Sequence, residues 1–234
     1  MLKELCANLI FFKKLNEIEI DIDDIYKRLL SGDTLLRWGD GEVSLIKGKS
    51  LYFQKHSDEL GSEISQSLLY SKSNKLIVCS PHQFVNYSII SLLKKGKFRI
   101  WYKSRSFYIL NFYMKKIHTG DAFGFRPESR FKYIDIIKKL ALERDKVILI
   151  SSSDDDIGKL SKIIGNNISI HHKLVQSKNS YEDRLDVITF LENNIIDNAV
   201  VFCSAGPLTK TLCNQNKYQL IDTGHFFDLY EEKC

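Results

Sequence analysis

Short apolar runs alternate with amphipathic stretches along most of this chain. Runs rich in β-branched and other apolar residues predict seven strands, over 34–38, 75–80, 98–102, 146–153, 168–174, 199–204 and 218–222. Between most of them the apolar positions recur at helical spacing, which predicts helices over 21–31, 57–71, 81–95, 131–143, 181–194 and 206–216. Strands that alternate with helices of this length are typical of βαβ units. The pattern therefore predicts one α/β domain with a mostly parallel sheet and helices on both faces.

Composition indicates a folded protein in a reducing compartment. The chain has 234 residues, of which 44% are hydrophobic and 12% aromatic, enough to bury a sizeable core. Its five cysteines are scattered and form no Cys-x-x-Cys pair, so neither a disulfide framework nor a zinc cluster is indicated. We expect a cytoplasmic protein.

The N-terminal residues predict neither an export signal nor a membrane span. Residues 1–15 have only a short apolar run, carry Glu4 near the start and lack a small-residue cleavage site, unlike a signal peptide. A membrane span needs a run of about 18 or more apolar residues, and the sequence contains none. Because no Gly/Ser-rich linker divides the chain, we interpret 1–234 as a single domain with 1–21 as a lead-in.

Positive charge is concentrated in one segment of the chain. The formal net charge is +5, yet residues 64–120 contain ten Lys or Arg and no Asp or Glu. Within that region, residues 94–118 interleave basic residues with aromatic ones. Such a segment is typical of a solvated outer face of a core element, of peripheral contact with an anionic membrane, or of nucleic-acid binding. We expect no nucleic acid as a partner, and peripheral contact at the inner membrane face stays open.

Candidate ligand-binding residues follow the predicted strands, because ligands of open parallel sheets bind beyond the carboxyl ends of the strands. Asp40 and Glu42 flank Gly41 directly after the first strand. Two carboxylates at this spacing in a turn can converge on a hard cation that also takes phosphate oxygens. The alternative is an ordinary surface turn.

Two later loops add candidates for the same edge of the sheet. After the sixth strand, Gly206 and Pro207 begin a helix, followed by Thr209 and Lys210, and the free N–H groups of such a turn suit a phosphate. His225, after the last strand, is a candidate metal ligand, phosphate donor or general acid/base. An ordinary strand-to-helix turn and a solvated histidine are the alternatives.

Several familiar kinds of site are missing from the sequence. It has no Gly-x-Gly-x-x-Gly turn and no Walker-type loop, which disfavours dehydrogenases and P-loop enzymes. The six histidines show no His-x-x-x-His spacing, so a zinc site is poorly supported. The three consecutive acids Asp154–Asp156 are typical of a helix N-terminus, and we leave them out of the predicted site.

Four short segments, taken in order, carry a family resemblance. They are RWGDGE (37–42), SKNSYEDRLDVI (177–188), AGPLTK (205–210) and LIDTGH (220–225). The series resembles the bacterial glycosyltransferases of the GT-D fold, in which an Arg–aromatic–Gly-Asp-Gly-Glu segment comes first. In that family a Lys-Asn segment follows, and a Gly-Pro turn precedes an Asp-x-Gly-His ending. The agreement covers roughly residues 34–232.

The resemblance implies a Rossmann-like single domain of GT-D type that transfers a sugar from a UDP-sugar donor to a glycan acceptor. The acceptor would be a surface polysaccharide or glycoprotein glycan, with a lipid-linked form as one option. The D-x-E pair, Asp40 and Glu42, would bind Mn²⁺ or Mg²⁺ together with the nucleotide. A non-catalytic glycan- or lipid-phosphate-binding protein and a nucleotide-sugar hydrolase are the alternatives.

The residues and the resemblance together give a predicted site. The catalytic candidates are Asp40, Glu42, Asp222 and His225, of which the last three are candidate bases. The predicted substrate-binding residues are Arg37, Gly39, Gly41, Arg126, Lys178, Asn179, Gly206, Pro207 and Thr209. Arg126 comes from the segment FGFRPESRFKY (123–133), whose arginine before proline is similar to one in the family. The segment 151–160 departs from the family pattern.

Overall fold

The computed structural model describes residues 19–70, 75–81, 104–113, 115, 117–122, 131–165, 167–213 and 218–227. The strands are β1 (Thr34–Arg37), β2 (Leu76–Ser80), β3 (Thr119–Asp121), β4 (Lys146–Ser151), β5 (Ile170–Leu174), β6 (Ala199–Ser204) and β7 (Gln219–Asp222). The α-helices are α1 (Ile22–Leu30), α2 (Asp40–Ile46), α3 (Asp58–Tyr70), α4 (Phe131–Leu142), α5 (Asp155–Ile164), α6 (Arg184–Asn194) and α7 (Pro207–Leu212). The described residues also contain a helical stretch over 104–108, a π-helix (Ile109–Tyr113) and a 3₁₀-helix (Ser180–Asp183).

The strands form one seven-stranded sheet in the order β3-β2-β1-β7-β6-β4-β5, and its pairs are all parallel. Strand β7, the last of the described strands along the chain, lies between β1 and β6 and joins two halves of the sheet. The predicted α/β fold with a parallel sheet is confirmed. Because the strands run the same way, the loops after β1, β7 and β6 emerge side by side at one edge.

Helices cover both faces of the sheet, as the sequence predicts. Successive residues of a strand point to opposite faces, and Leu35 and Leu36 of β1 accordingly belong to two different buried clusters. The cluster of Leu35 is covered by α1, α4 and α5, and the cluster of Leu36 by α2, α3, α6 and α7. Apolar side chains buried on both faces explain why the strands are near-continuous hydrophobic runs.

The structure contains elements that the apolar pattern does not predict. Strand β3 is the polar tripeptide Thr-Gly-Asp, and its place comes from pairing with β2 rather than from its own sequence. Helix α2 starts at Asp40, in a Gly-Asp-Gly sequence that favours turns, and α5 begins at Asp155, as expected of an acidic helix N-terminus. The predicted strand 98–102 and all but Pro81 of the predicted helix 81–95 lie outside the described residues.

The described part of the basic aromatic segment is largely core. Tyr108 and Phe112 are each 1% exposed, and Arg105 is buried. Lys115 is exposed and donates to Asn111. Within the described residues, no helix is long and apolar enough to cross a membrane. Residues 94–103 lie outside the described residues, so peripheral membrane contact through 94–118 stays a prediction.

We expect Phe202→Ala to destabilise the protein strongly, because Phe202 is fully buried in β6 between two paired strands. Removing a buried phenyl group costs about 3–5 kcal/mol, which for a chain of this size lowers the unfolding midpoint by roughly 6–20 °C. Leu185→Ala on α6, where the side chain is 70% exposed, is the control and should move the midpoint little. Thermal unfolding monitored by circular dichroism measures both, and equal midpoints would contradict the packing described here.

Candidate active site

A cavity of about 360 Å³ opens at the carboxyl edge of the sheet. Its walls come from the residues that follow β1, β2, β3, β6 and β7, together with one loop after α2. The described residues that line it are Arg37–Glu42, Leu51–Phe53, Pro81, Ala122, Gly206, Pro207, Lys210, Asp222, Gly224 and His225. Most of the predicted site residues that the structure describes therefore meet in one place, at the edge where the sequence predicts a ligand.

Asp40 and Glu42 lie in the first turn of α2, not in a free turn as the sequence predicts. Gly39 precedes the helix in extended conformation, and its N–H donates to Glu42 Oε2 at 2.8 Å. The hydroxyl of Tyr108 donates to the Gly39 carbonyl oxygen at 2.7 Å, which fixes the helix entry from the other side. Glu42 is 8% exposed and Asp40 is exposed. The two carboxylates thus have different surroundings.

Lys210 on α7 is a buried cation of the site. Its Nζ lies 3.0 Å from Glu42 Oε1 and 2.6 Å from Asp222 Oδ2, with the lysine only 3% exposed. The prediction from the sequence places Lys210 near an anion-binding turn but does not include it among the site residues. One feature of the sequence could have predicted its role: Lys210 is the one charged residue of the helix PLTKTL. A lysine that is buried with such a helix needs a partner of opposite charge.

Asp222 at the end of β7 is fully engaged by the protein. Besides Lys210, the backbone N–H of Arg37 donates to Asp222 Oδ2 at 3.1 Å, and that of Gly224 donates to Oδ1 at 3.1 Å. The residue is 1% exposed. Asp222 therefore ties β1 and the loop after β7 to α7.

The ion pairs decide the protonation of this cluster. Burial by itself would raise the pKa of Glu42, but the ammonium of Lys210 and the N–H of Gly39 outweigh it, so the pKa lies below its usual value. Burial likewise would lower the pKa of Lys210, yet Asp222 and Glu42 hold it above its usual value. Glu42 and Lys210 are therefore both charged at neutral pH.

The side chain of Arg37 crosses the cavity floor toward the loop after β7. Its Nε donates to the Ala122 carbonyl at 2.9 Å and its Nη1 to the Thr223 carbonyl at 3.3 Å. Gly224 adopts a φ of +50°, and a Cβ there would collide with the guanidinium. Only glycine lets this loop pass so close to the arginine.

Other predicted residues lie elsewhere. Thr209 is fully buried and its hydroxyl donates to Cys203 Sγ at 3.1 Å. Lys178 is exposed, and neither it nor Asn179 or Thr209 belongs to the described lining of the cavity. Asn179 instead fixes the loop after α2: its N–H donates to the Phe53 carbonyl, and its Oδ1 accepts from the Lys55 N–H, both at 2.8 Å. Arg126 lies outside the described residues.

The comparison with known families decides the relationship. A family model described as the glycosyltransferase GT-D fold matches residues 35–232. This chain belongs to the GT-D-fold glycosyltransferase family. The match confirms the resemblance that the four motifs carry, and it contains every residue that lines the cavity.

Two streptococcal proteins are similar to this GT-D chain at low identity. A probable glycosyl transferase, Gly, of Streptococcus gordonii is 23% identical over 231 residues, which cover 91% of this chain and 32% of that protein. The glycosyltransferase GlyD of Streptococcus pneumoniae serotype 4 is 22% identical over 215 residues, covering 85% and 25%. The GT-D chain thus spans about a third or less of the length of these relatives.

Solved structures share the fold. One, described as showing that the domain of unknown function 1792 has a distinct glycosyltransferase fold, gives a TM-score of 0.70 at 23% identity, covering 97% of this chain and 84% of that one. Another, described as a new glycosyltransferase (DUF1792) from Streptococcus sanguinis, gives 0.63 at 23% identity, covering 91% and 82%. At this identity the likeness establishes the GT-D fold alone.

Among the described residues that line the cavity, Asp40 has the carboxylate left accessible to a ligand. Within the described residues, no group of three or more His, Cys, Asp and Glu side chains converges to hold an ion. Both oxygens of Glu42 are engaged, by Gly39 and by Lys210, whereas the carboxylate of Asp40 accepts no hydrogen bond from the described part of the chain. These donors fit an ion shared between Asp40 and the oxygens of a bound phosphate, the coordination typical of Mg²⁺-type sites.

Lys210→Met should destabilise the protein, because it leaves Glu42 and Asp222 buried without their cation. Breaking a buried pair costs about 3–5 kcal/mol, and we expect this at pH 7. Without Lys210, burial raises the pKa of Glu42, so its protonation at lower pH relieves part of the penalty. The wild type behaves oppositely, since its lowered Glu42 pKa makes stability fall as pH drops below about 4.5.

The difference in stability between wild type and Lys210→Met should therefore narrow from pH 7 to pH 4.5, as measured by urea unfolding with a chelator present. Adding Glu42→Gln to the variant should recover part of the loss at pH 7. Lys178→Met, at an exposed lysine, is the matched control and should change stability by less than about 0.5 kcal/mol. A constant difference across this pH range would contradict the ion pairs described here.

Proposed function

We propose that this chain is a glycosyltransferase that moves a sugar from a UDP-sugar donor to an acceptor glycan, with Mn²⁺ or Mg²⁺ bound at Asp40. The single observation that carries the proposal is the different environment of the two carboxylates of the D-x-E pair. Glu42 is locked to Lys210, and Asp40 is left exposed at the cavity. Membership of the GT-D family supports the transfer of a sugar.

The charge balance of the cavity supports a metal-assisted diphosphate site. Among the described lining residues, the carboxylates of Asp40, Glu42 and Asp222 outnumber the cations of Lys210 and Arg37 by one. A nucleoside diphosphate is itself anionic and would be repelled by that excess. A divalent ion at Asp40 would reverse the balance, and when bound it would neutralise the diphosphate as the bond to the sugar breaks.

The remaining residues hold this arrangement or act on the acceptor. Asp222 and Glu42 are buried and paired with Lys210, and they hold α2, α7 and the loop after β7 together. His225 is exposed at the cavity, so it is our candidate for the base that takes the acceptor proton. Arg37, held by two carbonyl oxygens, adds fixed positive charge on the cavity floor.

UDP with Mn²⁺ should raise the unfolding midpoint of the wild type. A ligand at about 100 times its dissociation constant adds about 2.7 kcal/mol, or roughly 5–10 °C for a chain of this size. Asp40→Ala should lose most of this shift, while Asp186→Ala, an exposed acid on α6, should keep it. ADP and GDP serve as controls for the base.

Three outcomes of these assays speak against the proposal. If no nucleotide shifts the midpoint, or Asp40→Ala responds like the wild type, the D-x-E pair is not a nucleotide clamp. Donor hydrolysis at a rate that added acceptor does not change would identify a nucleotide-sugar hydrolase. Binding of glycan or anionic vesicles without turnover of any donor would identify a binding protein.

His225→Gln should lower kcat by about 10²- to 10⁴-fold, the usual contribution of a general base, with little change in the affinity for UDP. The assay follows UDP release in the presence of acceptor. His171→Gln on β5, a half-buried histidine outside the described lining of the cavity, is the matched control and should retain activity. Full activity of His225→Gln would remove His225 as the base.

A further inference from the structure

The loop that follows α2 brings an exposed aromatic ring to the cavity. Tyr52 is 88% exposed, the largest value among the exposed large hydrophobic side chains of the described residues. The neighbouring ring of Phe53 meets it edge to face, with centroids 4.9 Å apart at 82°. Both residues, with Leu51, line the cavity. An apolar ring left in water at the mouth of a ligand cavity gains free energy if a ligand covers it.

The loop is held in one shape. The N–H of Leu51 donates to the Gln54 carbonyl at 2.8 Å, and Gln54 itself is 3% exposed. Gln54 Oε1 accepts from the Tyr181 N–H at 3.3 Å. Asn179 adds the two hydrogen bonds to Phe53 and Lys55 already described. The ring of Tyr52 is therefore carried by a preorganised backbone, so that binding a ligand to it orders little additional chain.

The position of the loop indicates which part of a donor it meets. Leu51 packs against Gly41, where an added Cβ would lie 3.1 Å from Leu51 Cδ1, and Gly41 stands between Asp40 and Glu42. Phe53 packs against Gly206 in the same way, at 3.7 Å. Tyr52 thus lies beside the end of the cavity where we place the diphosphate. The base of a nucleoside diphosphate is joined to that diphosphate by a single ribose.

We propose that Tyr52 is the stacking platform for the nucleobase of the donor. This inference rests on the proposed function and adds the residue that binds the base. Aromatic side chains stack on nucleobases whatever their identity, because every base has a π-face. Tyr52 therefore supplies affinity for the nucleoside rather than discrimination between bases. The alternative is that an acceptor sugar stacks on the ring of Tyr52, and the experiment below distinguishes the acceptor sugar from the nucleobase.

Isothermal titration calorimetry with two probes tests the platform. The probes are UDP and inorganic pyrophosphate, each with Mn²⁺, on wild type, Tyr52→Ala and Tyr52→Phe. Removing one base-stacking aromatic side chain weakens binding by about 5- to 150-fold, which we expect for UDP with Tyr52→Ala. Pyrophosphate, which has no base, should bind all three proteins equally. Tyr52→Phe keeps the ring and should bind UDP like the wild type.

Each other outcome overturns the inference. If the wild type binds UDP and Tyr52→Ala binds it equally well, the ring does not contact the base. If Tyr52→Ala loses pyrophosphate as much as UDP, the residue acts through the shape of the loop. If UDP binding is unchanged but the KM for acceptor rises, Tyr52 belongs to the acceptor. If the wild type itself binds no UDP, the proposed function fails first. Leu69→Ala, at another exposed apolar residue, controls for surface effects.

Discussion

The buried ammonium of Lys210 is the contact on which the rest of the site depends. It joins Glu42 at the start of α2 to Asp222 at the end of β7, and Asp222 in turn receives the backbone N–H of Arg37. Three segments far apart in the sequence are thereby fixed at one edge of the sheet. In a low-dielectric interior such a network is stabilising only when each charge finds its partners. Here the carboxylates of Glu42 and Asp222 do so.

This network also explains why two carboxylates of one motif have different chemistry. The sequence Gly-Asp-Gly-Glu by itself predicts two equivalent carboxylate ligands. The helix that begins at Asp40 turns the third residue, Glu42, back onto the Gly39 N–H and toward Lys210, while Asp40 stays at the surface. The ion pair therefore gives Glu42 a structural task, whereas Asp40 remains accessible at the cavity.

Much of the fold can be predicted from the sequence, because strands that are buried on both faces appear in it as apolar runs. The apolar pattern does not predict strand β3, because it is a polar tripeptide. It does not predict helix α2 either, because that helix has seven residues and begins in a Gly-Asp-Gly sequence that favours turns. The predicted location of the site follows from the rule for parallel sheets, and the loops after β1, β6 and β7 do meet at one cavity. The side-chain contacts within the site cannot be predicted from the sequence. Thr209 and Lys210 are neighbours on a short helix, and only the packing of that helix determines that the hydroxyl contacts Cys203 and the ammonium Glu42.

The place of β7 in the sheet bears on how the protein matures. During synthesis β1 to β3 and β4 to β6 emerge before β7, and in the described sheet it is β7 that pairs with both groups. Asp222, Gly224 and His225 arrive with or just after it. The cavity is therefore complete only when β7 pairs with β1 and β6, because Asp222, Gly224 and His225 form part of its lining. Long-range parallel pairing of this sort is slow to form, so among the described strands the pairing that completes the cavity is expected to form late in folding.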